Sequence, residues 1–266
     1  MKNKIFKFLL FFLLLIILIL FFNLILSIII EIINTKPIRK INYNEIFFAI
    51  KITIFTATIS SVFAIIFAIP IAYILAKYNF PLKNFIDSFL YLPIIISPIA
   101  LGAMLLLFFS LPIGKFIEKN FFNVVFEVPG IIFAQFVVII GIAINLLKTV
   151  FEYIDPEYEN IAKTLGASDF YIFLKIILPL SKNGIITSFL LIWARAIGEF
   201  GASVILAGAT TMKTETIPVA IFLNFASGEL HTASILILIA LFISISILFI
   251  VKTLYAKNKE AIRQNG

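Results

Sequence analysis

The chain has 266 residues, 62% of them hydrophobic and only 13% charged, with a formal net charge of +7. A soluble domain is about 45–50% apolar and about 25% charged, so the composition is that of a polytopic membrane protein and excludes an ordinary soluble enzyme. The 31 Phe sit mostly inside apolar runs rather than among basic clusters, which excludes nucleic acid as a partner; zero Cys removes disulfides and thiolate sites, and the single His231 removes a multi-histidine metal cluster within one chain.

The apolar runs predict an all-α fold of six transmembrane helices in a single domain, residues 1–266. The first span, 5–30, follows Lys2, Lys4 and Lys7; it exceeds the about 7–15 residues of a signal-peptide core and has no Ala-x-Ala site, so an uncleaved helix is expected. The second span is 46–76. The third, 86–109, holds Pro93, Pro98 and Gly102 and is expected to kink toward the protein interior, where freed carbonyls find partners. An amphipathic interval, 110–130, precedes the fourth span, 131–150. The fifth is 184–208, a polar interval occupies 209–231, and the sixth is 232–254. Asn23 and Asn145 read as interhelical hydrogen-bond donors and His231 as an interfacial residue.

Residues 151–182 do not read as membrane. Asp155 suits an N-cap, Pro156 the first turn, and Glu157 and Glu159 the positive end of the helix dipole. Gly166 permits the left-handed closure, Ser168 caps a second short helix, and Pro179 ends it. With six spans both termini lie on one side. That side, if cytoplasmic, collects 13 Lys and Arg against 7 outside, so both termini and the 151–182 loop are expected in the cytoplasm. From the residues alone the loop is either a docking element or a surface-lying connector under the bundle.

Within the fifth span, Arg195 and Glu199 are spaced i,i+4 and can pair on one helix face. A lone Arg near the bilayer centre costs at least about 2.5–3.5 kcal/mol on insertion scales, so it faces protein or water. Two readings stand: a structural ion pair, or a direct contact with a passing anion. Ala194, Gly198 and Ala202 form a small-residue stripe for close helix packing, within the subunit or across a dimer axis.

The loop resembles the permease signature of ABC importers, Glu-Ala-Ala, three residues, Gly, nine residues, Ile-x-Leu-Pro. Here Asn160-Ile161-Ala162, Gly166 and Ile176-x-Leu178-Pro179 hold that spacing, with Asn160 and Ile161 departing from the usual residues. The resemblance implies a type I importer permease whose coupling helix seats in a cleft of a cytoplasmic ATPase. Glu159, Asn160, Ile161, Ala162, Leu165, Gly166 and Ala167 would then be the ATPase-coupling residues. Arg195-Ala-x-Gly-Glu-Phe-Gly-Ala202 is similar to the oxyanion branch that imports molybdate, tungstate and sulfate. So are Lys77-x-x-Phe80-Pro81-x-Lys83, Pro129-Gly130 with Ala134-Gln135, and Thr216 to Ile221.

This resemblance implies a membrane-embedded homodimer with two ATP-binding cassette subunits and an external substrate-binding protein, working by alternating access in the cell membrane. The chain would be a transport subunit and not an enzyme. ATP and Mg would belong to the partner, since no Gly-x-x-x-x-Gly-Lys-Ser/Thr loop occurs here. Rivals are a permease for another solute, a stand-alone secondary carrier, and a membrane-embedded enzyme. No inverted repeat, zinc-protease motif or paired intramembrane carboxylates favour the last two.

Overall fold

The computed structural model describes residues 2–38 and 41–264, with side chains over 6–38, 41–250 and 252–253. Met1, Arg39, Lys40, Asn265 and Gly266 lie outside the described residues, Arg39 and Lys40 being two of the expected outer basic residues. Among the described residues every regular element is helical. Five helices are long and apolar enough to cross a membrane, and a bent pair makes up to six.

The first helix, α1 (Lys2–Asn34), buries none of its most apolar window within the chain and touches the rest mainly through α13 (Leu230–Gln264). At their shared end the His231 ring N–H at Nδ1 donates to the Thr35 carbonyl at 2.9 Å. Asn23 donates to Ile19 O of its own helix, and among the described residues the expected interhelical bond is not made.

At the centre lie α2 (Tyr43–Lys77) and α7 (Val128–Glu152). Ala57, Ala64, Ala68 and Ala72 of α2 are fully buried, and small side chains of this kind let two backbones approach closely. The side of α2 nearer its start buries hydroxyls. Thr53 Oγ1 accepts the Ile217 N–H at 2.8 Å and thereby satisfies the first turn of α12 (Ile217–Ala226). The expected polar interval 209–231 therefore contains an apolar helix, packed against α2 and α13 through Ala49, Ala220 and Leu236.

The third span is not one kinked helix. It runs as α3 (Lys83–Leu90), α4 (Leu92–Ile95) and α5 (Pro98–Ser110), bent by 107° at Ile96–Ser97. Pro98 disfavours helical conformation in the residue before it, and Ser97 takes ψ 142 and accepts the Ala100 N–H at 3.3 Å as a new N-cap. The short α3 is tied to α7 by Asp87–Lys148 at 2.6 Å and by the Tyr91 hydroxyl on Asn145 Oδ1. Asn145 thus joins two helices, as an acceptor rather than a donor. A further amphipathic helix, α6 (Pro112–Asn120), leads back to α7.

Candidate functional site

Among the described residues, the candidate site residues fall in two places: the loop after α7, and a break in the fifth span.

In the loop, α8 (Pro156–Thr164) starts where Asp155 accepts the Glu157 N–H at 2.9 Å. It ends at Gly166, φ +83, with Gly166 N–H on Lys163 O at 2.9 Å and Ala167 N–H on Ala162 O at 3.0 Å. That pair of bonds is the Schellman closure, which needs a left-handed residue where Gly166 stands. Ser168 then accepts the Tyr171 N–H at 3.3 Å and opens α9 (Asp169–Ile172). Lys163 and Asp169 pair across the turn at 3.1 Å, both exposed, and the hydrogen bond that the Lys163 ammonium donates to Asp169 raises the Lys163 pKa.

Pro179 does not end the second helix. A five-residue π-helix, Phe173–Ile177, follows α9 directly and runs into α10 (Leu178–Ile197), with Leu178 N–H reaching back to Phe173 O. The wider π turn precedes the proline, which then occupies the first turn of the resumed α-helix, where its missing N–H is tolerated. The loop's second half is therefore the foot of a membrane helix, and that helix begins before residue 184.

The seven loop residues divide by face. Asn160, Ile161, Leu165 and Gly166 point outward, with Leu165 83% exposed. Ala162 is buried as part of the main hydrophobic core, and Ala167 is half-buried. Glu159 also turns inward: its Oε1 lies 3.0 Å from Lys77 Nζ at the end of α2, and the Tyr73 hydroxyl stands 3.5 Å from its Oε2.

The fifth span breaks inside its conspicuous motif. Helix α10 stops at Ile197, and α11 (Gly201–Ala207) starts after Gly198, Glu199 and Phe200. Arg195 is on the last turn of α10 and Glu199 beyond it, so they do not share one helix face. They pair all the same, Nη1 to Oε2 at 2.8 Å. The other Glu199 oxygen accepts the Ala202 N–H at 2.9 Å, so one carboxylate holds the guanidinium and caps α11. Its side chain is 1% exposed, that of Arg195 36%.

The expected Ala194–Gly198–Ala202 stripe is split by the same break. Gly198 is exposed with nothing pressed against it, whereas Ala202 is buried by Gly102 of α5. A residue that the sequence offered only as part of a family resemblance, without a role, completes the site. Gln135 of α7 donates to Ala196 O at 3.0 Å and accepts from Ser60 of α2 at 3.2 Å, tying three helices at the break. A hollow of 720 Å³ between α2 and α7 is lined by Phe63, Phe67, Phe133 and other apolar side chains and offers an anion nothing.

Residues 68–261 match the family model of the binding-protein-dependent transport system inner membrane component. The chain belongs to this family. As one of its permeases it is a multi-pass membrane transport component. It is similar to the molybdate/tungstate transport system permease protein WtpB of Methanocaldococcus jannaschii, 34% identical over 223 residues, 82% of this chain and 87% of that one. It is also similar to the molybdenum transport system permease protein ModB of Haemophilus influenzae, 31% identical over 82% of this chain and 97% of that one. The sulfate transport system permease protein CysT of Escherichia coli strain K12 is 30% identical over 79% of this chain and 76% of its own.

Among solved structures, a chain of a bacterial alginate ABC transporter superposes with a TM-score of 0.61 at 18% identity, covering 78% of this permease and 76% of that chain. The MetNI methionine ABC transporter gives 0.58 at 13%, covering 77% and 94%. At these identities the likeness is one of fold.

Proposed function

We propose that this permease forms the pathway of an ATP-driven importer for a tetrahedral oxyanion, molybdate or tungstate. The observation that carries the coupling half is the exposed Ile161–Leu165 pair on a helix whose both ends are capped. An i,i+4 apolar pair held out into water on a rigid helix fits insertion into a partner's cleft. The partner is an ATP-binding cassette subunit that supplies ATP and Mg chemistry; Asn160, Gly166 and Ala167 border its contact. Two such subunits, a second copy of this chain and an external binding protein complete the assembly, with the loop and both termini in the cytoplasm.

The substrate half rests on the relatives named for molybdate and tungstate, which this chain covers almost end to end. Sulfate is the second reading, favoured by a relative of comparable identity. Arg195 supports a polar path of some kind. Its guanidinium has one described partner, Glu199, and its side chain is 36% exposed in a membrane-spanning helix, where a hydrocarbon neighbour would be costly. Glu199 and Ala202 serve the helix break and its packing.

The test is ATP hydrolysis by the permease assembled with its ATPase, in the presence of binding protein loaded with molybdate, tungstate or sulfate. Stimulation by molybdate or tungstate, and none by sulfate, is expected. Stimulation by sulfate alone moves the assignment to the second reading, and stimulation by none of them refutes the oxyanion class.

A further inference from the structure

The inward turn of Glu159 separates it from the rest of the loop. A residue beside the signature position is expected to face the ATPase, but its side chain and that of Lys77 are only 13% and 11% exposed. Lys77 Nζ also donates to Ile154 O, in the link between α7 and α8, at 2.9 Å. One ammonium therefore holds both the body of α8 and the strap that leads to it. Lys77 stands in the last turn of α2, where the helix dipole favours a cation. Tyr73, one turn earlier, lies edge-on to Phe151 of α7 and 4.7 Å, ring to ring, from Phe173 of the π-helix. The ends of α2 and α7, the coupling helix and the foot of α10 thus meet around two side chains of α2.

This layout gives a push on α8 two routes into the membrane. One is covalent: α8 leads through the Gly166 turn into α9, the π-helix and α10. The other crosses from Glu159 to Lys77 and enters α2, which is not adjacent to the loop in sequence. Helix α2 carries that push far. Between Lys77 and Thr53 it rises about 36 Å at about 1.5 Å per residue, and at Thr53 it holds the first N–H of α12 on the opposite side of the bundle.

We infer that Glu159 is a positioning residue rather than an ATPase contact: with Lys77 it forms a clasp that carries movement of the coupling helix into α2 and on toward α12. This rests on the coupling role of the loop set out above. A partly buried pair suits a clasp. Removing either partner leaves a charge without its counter-ion in a poorly hydrated place, whereas exchanging the two charges keeps the attraction.

The chain has no cysteine, so the clasp can be tested by charge and by covalent replacement. The permease is assembled with its ATPase as wild type, Glu159→Gln, Lys77→Met, the reversal Lys77→Glu/Glu159→Lys, and Leu165→Asp. Two quantities are read: co-purification with the ATPase, and the ratio of hydrolysis with and without loaded binding protein. Glu159→Gln and Lys77→Met are expected to co-purify like wild type while the ratio falls toward one, and the reversal should regain it. Leu165→Asp should lose co-purification itself. In Lys77→Cys/Glu159→Cys the ratio should be low when reduced and recover when a short bifunctional thiol reagent joins the two.

Loss of co-purification in Glu159→Gln equal to that in Leu165→Asp would overturn the inference, because Glu159 would then touch the ATPase. An unchanged ratio in both single variants would overturn it as well. If wild type itself neither binds the ATPase nor responds to binding protein, the coupling reading fails instead. Cross-linking in the permease alone then still decides the clasp: no product in the folded protein refutes it.

Discussion

Gln135 of α7 donates its side-chain N–H to the carbonyl of Ala196, 3.0 Å away, at the point where α10 stops. The Glu199 N–H reaches the same carbonyl at 3.1 Å, and Ser60 donates to the other end of the Gln135 amide. A helix interrupted at membrane depth must have its freed carbonyls answered by protein; the Gln135 amide and the Glu199 N–H do so for Ala196, and Ser60 holds Gln135 in place. Gln135→Leu should therefore lower stability by about 1–3 kcal/mol, the usual cost of unmaking a buried polar contact. Thermal unfolding of the purified permease measures it, and an unchanged midpoint would mean the break holds itself open.

Gly102 and Ala202 bring α5 against α11. A Cβ on Gly102 would stand 2.8 Å from both the Cα and the carbonyl oxygen of Ala202. Neither is a flexible group, so Gly102→Ala should cost about 1–3 kcal/mol as overpacking, and Gly102→Val more. The same unfolding measurement checks the order. Gly198→Ala, where the added Cβ meets only its own helix, should differ little from wild type.

For the ion pair, Glu199→Ala strips Arg195 of its partner and leaves the Ala202 N–H without its cap. The loss should be below the about 3–5 kcal/mol of a fully buried pair, because over a third of the Arg195 side chain is accessible. Adding Arg195→Ala should recover part of it. Folded Arg195→Ala protein that cannot transport would place the guanidinium on the anion's path, and full transport would leave it structural.

Much of this was legible in the sequence wherever the signal is local. Asp155, Gly166 and Ser168 act through backbone groups within a few residues, and each stands as its cap or turn chemistry requires. What escaped depends on partners far along the chain. Nothing near Glu159 says that it faces Lys77, and nothing near Asp87 names Lys148. In a helix as short as α8 the apolar period leaves the inward face undecided. The π-helix before Pro179 and the sharp bend at Ser97 had the same origin. Proline announces a disturbance in the ladder, but neighbouring helices decide whether it is absorbed or becomes a corner.

Glu215, between α11 and α12, gives a pH dependence. It is buried, and desolvation raises its pKa despite the Met212 N–H that it accepts at 2.9 Å; the charge of Glu45 adds to the rise. A carboxyl with a folded pKa above its unfolded value stabilises the fold only while protonated. Its contribution is present below the ordinary glutamate range and is lost as pH rises through the raised value. Above that window the buried carboxyl is a net cost relative to acid pH. Glu215→Gln, which keeps an acceptor for Met212, should unfold at higher temperature than wild type at pH 7 and match it near pH 4. A variant less stable at pH 7 would show the charge to be wanted.

The central claim is that this chain couples ATP hydrolysis in a partner to import of an oxyanion. It is tested most directly by uptake into vesicles holding the permease with its ATPase, with ATP on the ATPase side and molybdate-loaded binding protein on the other. Uptake should require all three of ATP, loaded binding protein and an intact Leu165, and should cease in Leu165→Asp. Uptake by the permease alone, driven by an ion gradient without ATP, would contradict the account and mark the chain as a stand-alone carrier.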